Sequence, residues 1–205
     1  KMLSLDHIVV VGRSLPTATN FVRNLLDEQP MASGKHNFFG THNHLWGMGH
    51  NCYLESIAID PAMNKPPYPR WFGLDNFKGP PRLGGWVLAT KSIRNTLKDL
   101  GPEYGSPIEL QRDKYKWQIS VTESGDLPFG GYGPAIIEWH EGFHPCLDLP
   151  DNNIRLKNLI IQHPAADLMS SFLGNFLNDD RIIFVQGDSK ITAEIITSQG
   201  FVVLK

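Results

Sequence analysis

A β-branched run closed by glycine, Leu5-Asp6-His7-Ile8-Val9-Val10-Val11-Gly12, opens this chain, and the order of elements that follows it recurs about 79 residues later. Its composition and length favour a strand over a helix. After Pro16, the residues Ala18, Phe21, Val22, Leu25 and Leu26 fall at 3.6-residue spacing, which predicts an amphipathic helix over 17–26 capped by Thr17. Residues 40–46 and 52–59, separated by the turn Gly47-Met48-Gly49, read as paired antiparallel strands ending at Asp60-Pro61. The second round has an opening strand over 84–90 and a helix over 92–100 stopped by Gly101, then strands over 111–116, 117–122 and 135–139. Trp86 lies 79 residues after His7, and Glu138 lies 83 after Glu55. A third, less complete copy follows Pro150, with strands over 156–161, 182–186, 190–197 and 201–204 and a helix over 167–177. One such unit leaves an apolar sheet face half covered, so two must pair to complete a core. The expected fold is α+β: tandem βαβββ modules over 1–62 and 83–150 forming a curved, cup-shaped mixed sheet, plus a degenerate C-terminal unit over 151–205. A Pro-rich linker over 63–82 carries its own aromatic cluster and also reads as a plain extended tether.

Of the 205 residues, 41% are hydrophobic and 20% charged, which is globular usage and excludes disorder, collagen and coiled coil. Lys and Arg number 19 against 21 Asp and Glu, a net charge of -2 with no basic run. Nucleic acid is therefore not an expected partner. No apolar stretch reaches the roughly 18 residues of a membrane helix. Met2 reads as the native start, with no apolar leader after it. Cys52 and Cys146 stand far apart in neither a metal nor a redox spacing, so a reducing, cytoplasmic setting is expected. Nucleophile elbows, phosphate loops, dinucleotide glycine motifs and Cys-x-x-Cys pairs are absent from the sequence, removing the usual signatures of hydride and phosphoryl transfer.

The chemistry must then come from histidines and carboxylates. His7 starts an apolar strand, where an imidazole is either a packed core residue or a functional one. Glu55 stands among Tyr53, Leu54, Ile57 and Ile59, and Glu138 among Ile136, Ile137 and Trp139. A carboxylate so enclosed needs a cation, a metal or strong donors, unless it simply faces water on alternate strand positions. Because the two glutamates hold matching places in the two rounds, they are expected to meet across the cup. His42 and His44 share one strand face and could reach one metal or could be solvated. His140 and His144 are four apart, but Gly142 and Pro145 rule out the helical zinc spacing.

Leu5-Asp6-His7-Ile8-Val9-Val10, Gly40-Thr41-His42-Asn43, Tyr53-Leu54-Glu55 and Asp60-Pro61 resemble the glyoxalase-like domain proteins of the vicinal oxygen chelate superfamily. Gly85-Trp86, Arg112 with Lys116-Trp117-Gln118, Pro134 to Trp139, and His144-Pro145 extend the resemblance to about Pro164. It implies a cup in which the first and last strands of each module aim ligands at one site. Carried over by position, His7, Glu55 and Glu138 are the implied ligands of a divalent metal (Zn, Mn, Fe or Ni). The fourth position falls on or beside Trp86, which cannot ligate. Glu138 is the implied proton shuttle, and His7 is grouped with it as catalytic. Asn43, Trp86, Arg112, Trp117, Trp139 and His144 are the candidate substrate contacts, Arg112 as a fork for a carboxylate or phosphate or as a surface ion pair. The implied activity is that of a metal-dependent lyase, isomerase or dioxygenase on a small vicinal-oxygen substrate. A metal-free small-molecule binding protein of the same fold is the competing reading, and a homodimer is an open possibility.

Overall fold

The computed structural model describes residues 3–205; Met2, read above as the native start, lies outside them. The first module runs β1 (Ser4–Val11), α1 (Leu15–Leu26), β2 (Ala32–His36), β3 (Thr41–Gly47) and β4 (Tyr53–Ile59). The second repeats it as β5 (Arg82–Ala89), α2 (Ile93–Leu100), β6 (Ser106–Arg112), β7 (Tyr115–Val121), a single turn α3 (Pro128–Gly131) and β8 (Ala135–Trp139). Helix α1 starts two residues earlier than its periodicity predicts, because Ser14, not Thr17, is the cap: its hydroxyl accepts from the Thr17 amide (3.3 Å). Strand β2 was not expected, and β6 begins at Ser106 with its hairpin turning at Asp113 (φ 52°), where a strand over 111–116 was expected.

These eight strands form one sheet in the order β2-β3-β4-β1-β5-β8-β7-β6. In each module the first strand runs parallel to the last, and the modules join through antiparallel β1 and β5. The register at that seam is symmetric: Ile8 faces Trp86, His7 faces Val87, and Val9 faces Gly85. A pseudo-twofold axis therefore relates each residue of β1 to the one 78 positions later in β5. The sheet curls until its outer strands meet, and Arg112 of β6 donates from Nη1 to the Ser33 carbonyl of β2 (3.1 Å).

Strand alternation divides the core in two. Val9, Val11, Ile57, Val87 and Ile137 face the concave side, where Trp71 and Phe72 of the linker pack on them. The linker is thus more than a tether: a 3-10 segment over Trp71–Asn76 plugs one end of the cup, with Phe72 and Gly73 at positive φ. Ile8, Val10, Trp86, Leu88 and Ile136 face the convex side, beneath α1, α2 and the third unit.

The third unit comprises β9 (Arg155–His163), α4 (Ala166–Leu173), β10 (Ile182–Gln186), β11 (Lys190–Thr197) and β12 (Gly200–Leu204). It keeps the element order but not the pairing. Its sheet runs β10-β9-β11-β12, with the first strand parallel to the strand just after the helix. Leu159, Ile161, Ile191, Ala193 and Ile195 lay that sheet over the convex face. No helix among the described residues is long and apolar enough to cross a membrane.

Candidate functional site

The concave side encloses a hollow of about 20 Å³, lined among others by His7, Asn43, Glu55, Arg112, Trp117 and Trp139. As the sheet stands it has room for on the order of one water molecule.

The site begins with an irregularity in β1. The register against β5 shifts between Leu5 and His7, a bulge that lets consecutive residues serve one region. Asp6, only 2% exposed, thereby accepts three hydrogen bonds: from His7 Nδ1 (2.6 Å), His144 Nε2 (2.9 Å) and Trp139 Nε1 (3.1 Å). Burial alone would raise this carboxyl, but the bonds from His144 and His7 outweigh it and hold Asp6 at about 2. An ionised Asp6 accepts from Nδ1, so in the imidazole form of His7 the lone pair lies on Nε2. The His7 ring stacks on Tyr53 (4.4 Å, 11° between planes), its partner across β1 and β4.

Glu55 pairs with Val9 two residues further along the same strands and shares the concave face. It is 5% exposed, and its Oε2 accepts from Asn43 Nδ2 (2.7 Å). Burial raises its pKa, with His7 and Asn43 opposing, which favours the neutral acid more than in an ordinary glutamate. Behind Asn43 stands His36, lowered to about 3 by burial and by Arg112, hence neutral; its Nδ1 donates to Thr41 Oγ1 (3.0 Å). Asn43 Oδ1 and Arg112 Nε are buried without a hydrogen-bond partner.

Three of the expected residues, Glu138, Trp86 and His144, do not line the hollow. Glu138 lies between Ile137 and Trp139, which face inward, so its own side chain points to the convex side. There its Oε2 accepts from the Ile93 amide at the start of α2 (2.8 Å). The twofold explains the error: Glu55 pairs with Val9, the equivalent Val87 pairs with Ala135, and Glu138 stands three residues beyond that match. An odd offset reverses the face. Trp86 is likewise convex, fully buried, and donates from Nε1 to the Tyr132 carbonyl (2.8 Å). The true counterpart of His7 is Gly85, where an added Cβ would stand 3.1 Å from Phe72 Cδ1.

Trp117 and Trp139 do wall the hollow, their rings 5.2 Å apart. His144 stands behind Asp6, where it positions the carboxylate. His42 and His44 share a face as expected, but the convex one: His44 Nδ1 meets Thr19 Oγ1 under α1 (2.7 Å). Asp6 itself was overlooked. Its signal, an acid directly before a strand-initial histidine, becomes chemical only through the bulge.

The glyoxalase-like domain profile matches residues 5–176, spanning both modules and the start of the third unit. The chain belongs to the glyoxalase-like domain family. Among solved structures, a hypothetical protein from Staphylococcus aureus is 18% identical, with a TM-score of 0.64 over 93% of this chain and 88% of its own. A hypothetical protein from Bacillus halodurans C-125 is 14% identical, with a TM-score of 0.47 over 70% of this chain and 98% of its own. Streptomyces coelicolor methylmalonyl-CoA epimerase, in complex with 2-nitronate-propionyl-CoA, is 12% identical, with a TM-score of 0.46 over 70% of this chain and 100% of its own. No curated protein matches the sequence.

Within this glyoxalase-like cup, the metal ligands implied by resemblance do not fit. Only His7 and Glu55, both from the first module, face inward, and the second module offers Gly85 and Ala135 at the matching places. Phe72 fills the space at Gly85. No three His, Cys, Asp or Glu side chains among the described residues are grouped to hold a metal ion. The donors present are those of proton transfer: a carboxylate-oriented imidazole beside a carboxyl group whose pKa burial raises.

Proposed function

We propose that this glyoxalase-like protein is an isomerase or lyase that moves a proton on a small enolisable carbonyl compound held in the cup. The observation carrying this reading is His7, fixed through Nδ1 by Asp6 and lining the hollow next to Glu55. His7 Nε2 takes the proton from the carbon beside the substrate carbonyl. The electron pair of that bond becomes the carbon–carbon π bond, and the carbonyl π pair moves to oxygen. Glu55 in its neutral form delivers a proton to that oxygen, so no charge builds up on the substrate, and the step leaves His7 as imidazolium and Glu55 as carboxylate until the protons are returned. Asp6 supports the imidazolium formed in the step, as the orienting acid of a catalytic triad does. Trp117 and Trp139 form apolar walls beside these groups. The free thiols of Cys52 and Cys146 support a reducing, cytoplasmic setting.

A second reading, capture of a small molecule without turnover, draws on the aromatic walls Trp71, Trp117 and Trp139. Proton NMR in heavy water separates the two. Incubated with a panel of small ketones, ketols and oxo acids, the parent protein is expected to speed deuterium incorporation beside the carbonyl of at least one. His7→Gln should lose about 100-fold or more of that rate. Binding without exchange would favour capture, and undiminished exchange by His7→Gln would remove His7 from the chemistry.

A further inference from the structure

Two residues lining the hollow each hold a buried polar atom without a hydrogen-bond partner: Arg112 Nε and Asn43 Oδ1. Arg112 makes no ion pair among the described residues. Its guanidinium bonds only the Ser33 carbonyl through Nη1 and lies over the Tyr115 ring (5.3 Å). It sits so close to Gly34 that any Cβ there would collide with it, so β2 carries glycine where the cation crosses the seam. A guanidinium with its Nε unused presents half a fork to the cup, and the natural partner of that edge is an oxyanion.

The surroundings narrow the anion. Arg112 is the one Lys or Arg side chain lining this hollow, and Glu55 lies in the same space. A dianion would meet a single cation here and leave its second charge unneutralised in a buried space, which favours one negative charge and hence a carboxylate over a phosphate. The amide of Asn43 is oriented by donating to Glu55 and leaves its oxygen, 2% exposed as a residue, requiring a donor. A ligand hydroxyl supplies one. The ring planes of Trp117, Trp139 and Trp71 leave a short apolar body as the remaining part.

We infer that the cup takes a small enolisable oxo-monocarboxylate, its carboxylate on Arg112 and the hydroxyl of its enol form on Asn43 Oδ1. The inference rests on the proton-transfer reading and adds the substrate class. His7 removes a proton from the carbon beside the oxo group, Glu55 protonates the oxo oxygen, and the resulting O–H turns to Asn43. Keto and enol forms are isomers, so no co-reactant is consumed. Entry requires the Arg112–Ser33 contact to open and the outer strands to part, because the hollow as it stands holds only about one water molecule; the incoming carboxylate promotes this by competing for the guanidinium.

Calorimetric titration with 2-oxobutyrate and with its uncharged methyl ester, each followed by proton NMR in heavy water, tests this on the parent protein. The acid is expected to bind about tenfold or more tightly than the ester and to exchange its C3 protons. Arg112→Gln should abolish the preference, Arg112→Lys should retain part of it, and Gly34→Ala, which displaces the guanidinium, should weaken it without touching His7. Equal binding of acid and ester, or an acid preference unchanged in Arg112→Gln, overturns the assignment of Arg112. If neutral ketones exchange and 2-oxobutyrate does not, the substrate class fails while the proton-transfer reading stands. If 2-oxobutyrate binds with the stated preference but nothing exchanges, the carboxylate site stands and the proton-transfer reading falls.

Discussion

Asp6 and Glu55 are both buried carboxyl groups in one cup, and their surroundings push them in opposite directions. Against the effect of burial, His144 and His7 hold Asp6 at about 2, so the stability it contributes is present above its unfolded value of 3.8 and is lost as pH falls towards 2. Glu55 is raised by burial, so the folded state holds its proton more tightly than the unfolded one. The sign is then reversed: its ionisation costs stability as pH climbs above 4.5. Glu55→Gln keeps an acceptor for Asn43 and removes the ionisation. Its melting temperature should exceed the parent's at pH 7, with the gap closing below about pH 4.5; a lower melting temperature at pH 7 would show that Glu55 is satisfied as a charged group. His36, held at about 3, adds a loss of stability as pH drops below its usual 6.5, because the unfolded chain takes up a proton that the cup refuses.

At the scale of elements, β8 and β5 decide which residues can reach the hollow. Glu138 accepts from the Ile93 amide at the N-terminus of α2, where a carboxylate also meets the positive end of the helix dipole. Glu138→Ala should cost about 1 kcal/mol in denaturant unfolding. Trp86→Ala removes a fully buried indole beneath the third sheet, together with its bond to the Tyr132 carbonyl. A loss of about 3–5 kcal/mol is expected, with ligand affinity in the folded protein preserved; weakened affinity at equal folded fraction would return Trp86 to the cup. Both residues also show where the sequence could mislead. Repeat spacings of 79 and 83 identify the duplicated strands correctly, yet strand faces alternate at every residue. The one-residue gap between Trp86 and Gly85, or the three between Glu138 and Ala135, exchanges inside for outside. His7 and Glu55 were legible because a charged or titratable group inside an apolar strand demands an explanation. Asp6 was not, because a bulge leaves no mark on composition. Nor was β2, an edge strand of Ala-Ser-Gly-Lys-His that lacks apolar alternation.

Taken as a whole, the molecule is a symmetric scaffold with an asymmetric interior. The sheet order and the Ile8–Trp86 register obey the twofold, but His7, Glu55 and Asn43, the proposed base, acid and oriented amide, all come from the first module, while the second supplies Arg112 and aromatic walls. The third unit covers the convex face of the central strands, so the seam between modules is sealed within one chain. Since the second module lacks the matching donors, dialysis against a chelator should leave the deuterium-exchange rate unchanged within about twofold; loss restored by a single divalent metal would show that His7 and Glu55 act as ligands after all. The most direct test sets His7→Gln beside Glu138→Ala in the same exchange assay, on protein shown to be folded. The account predicts that the first is inactive and the second close to the parent. Activity that survives loss of the imidazole but disappears with Glu138 would contradict it.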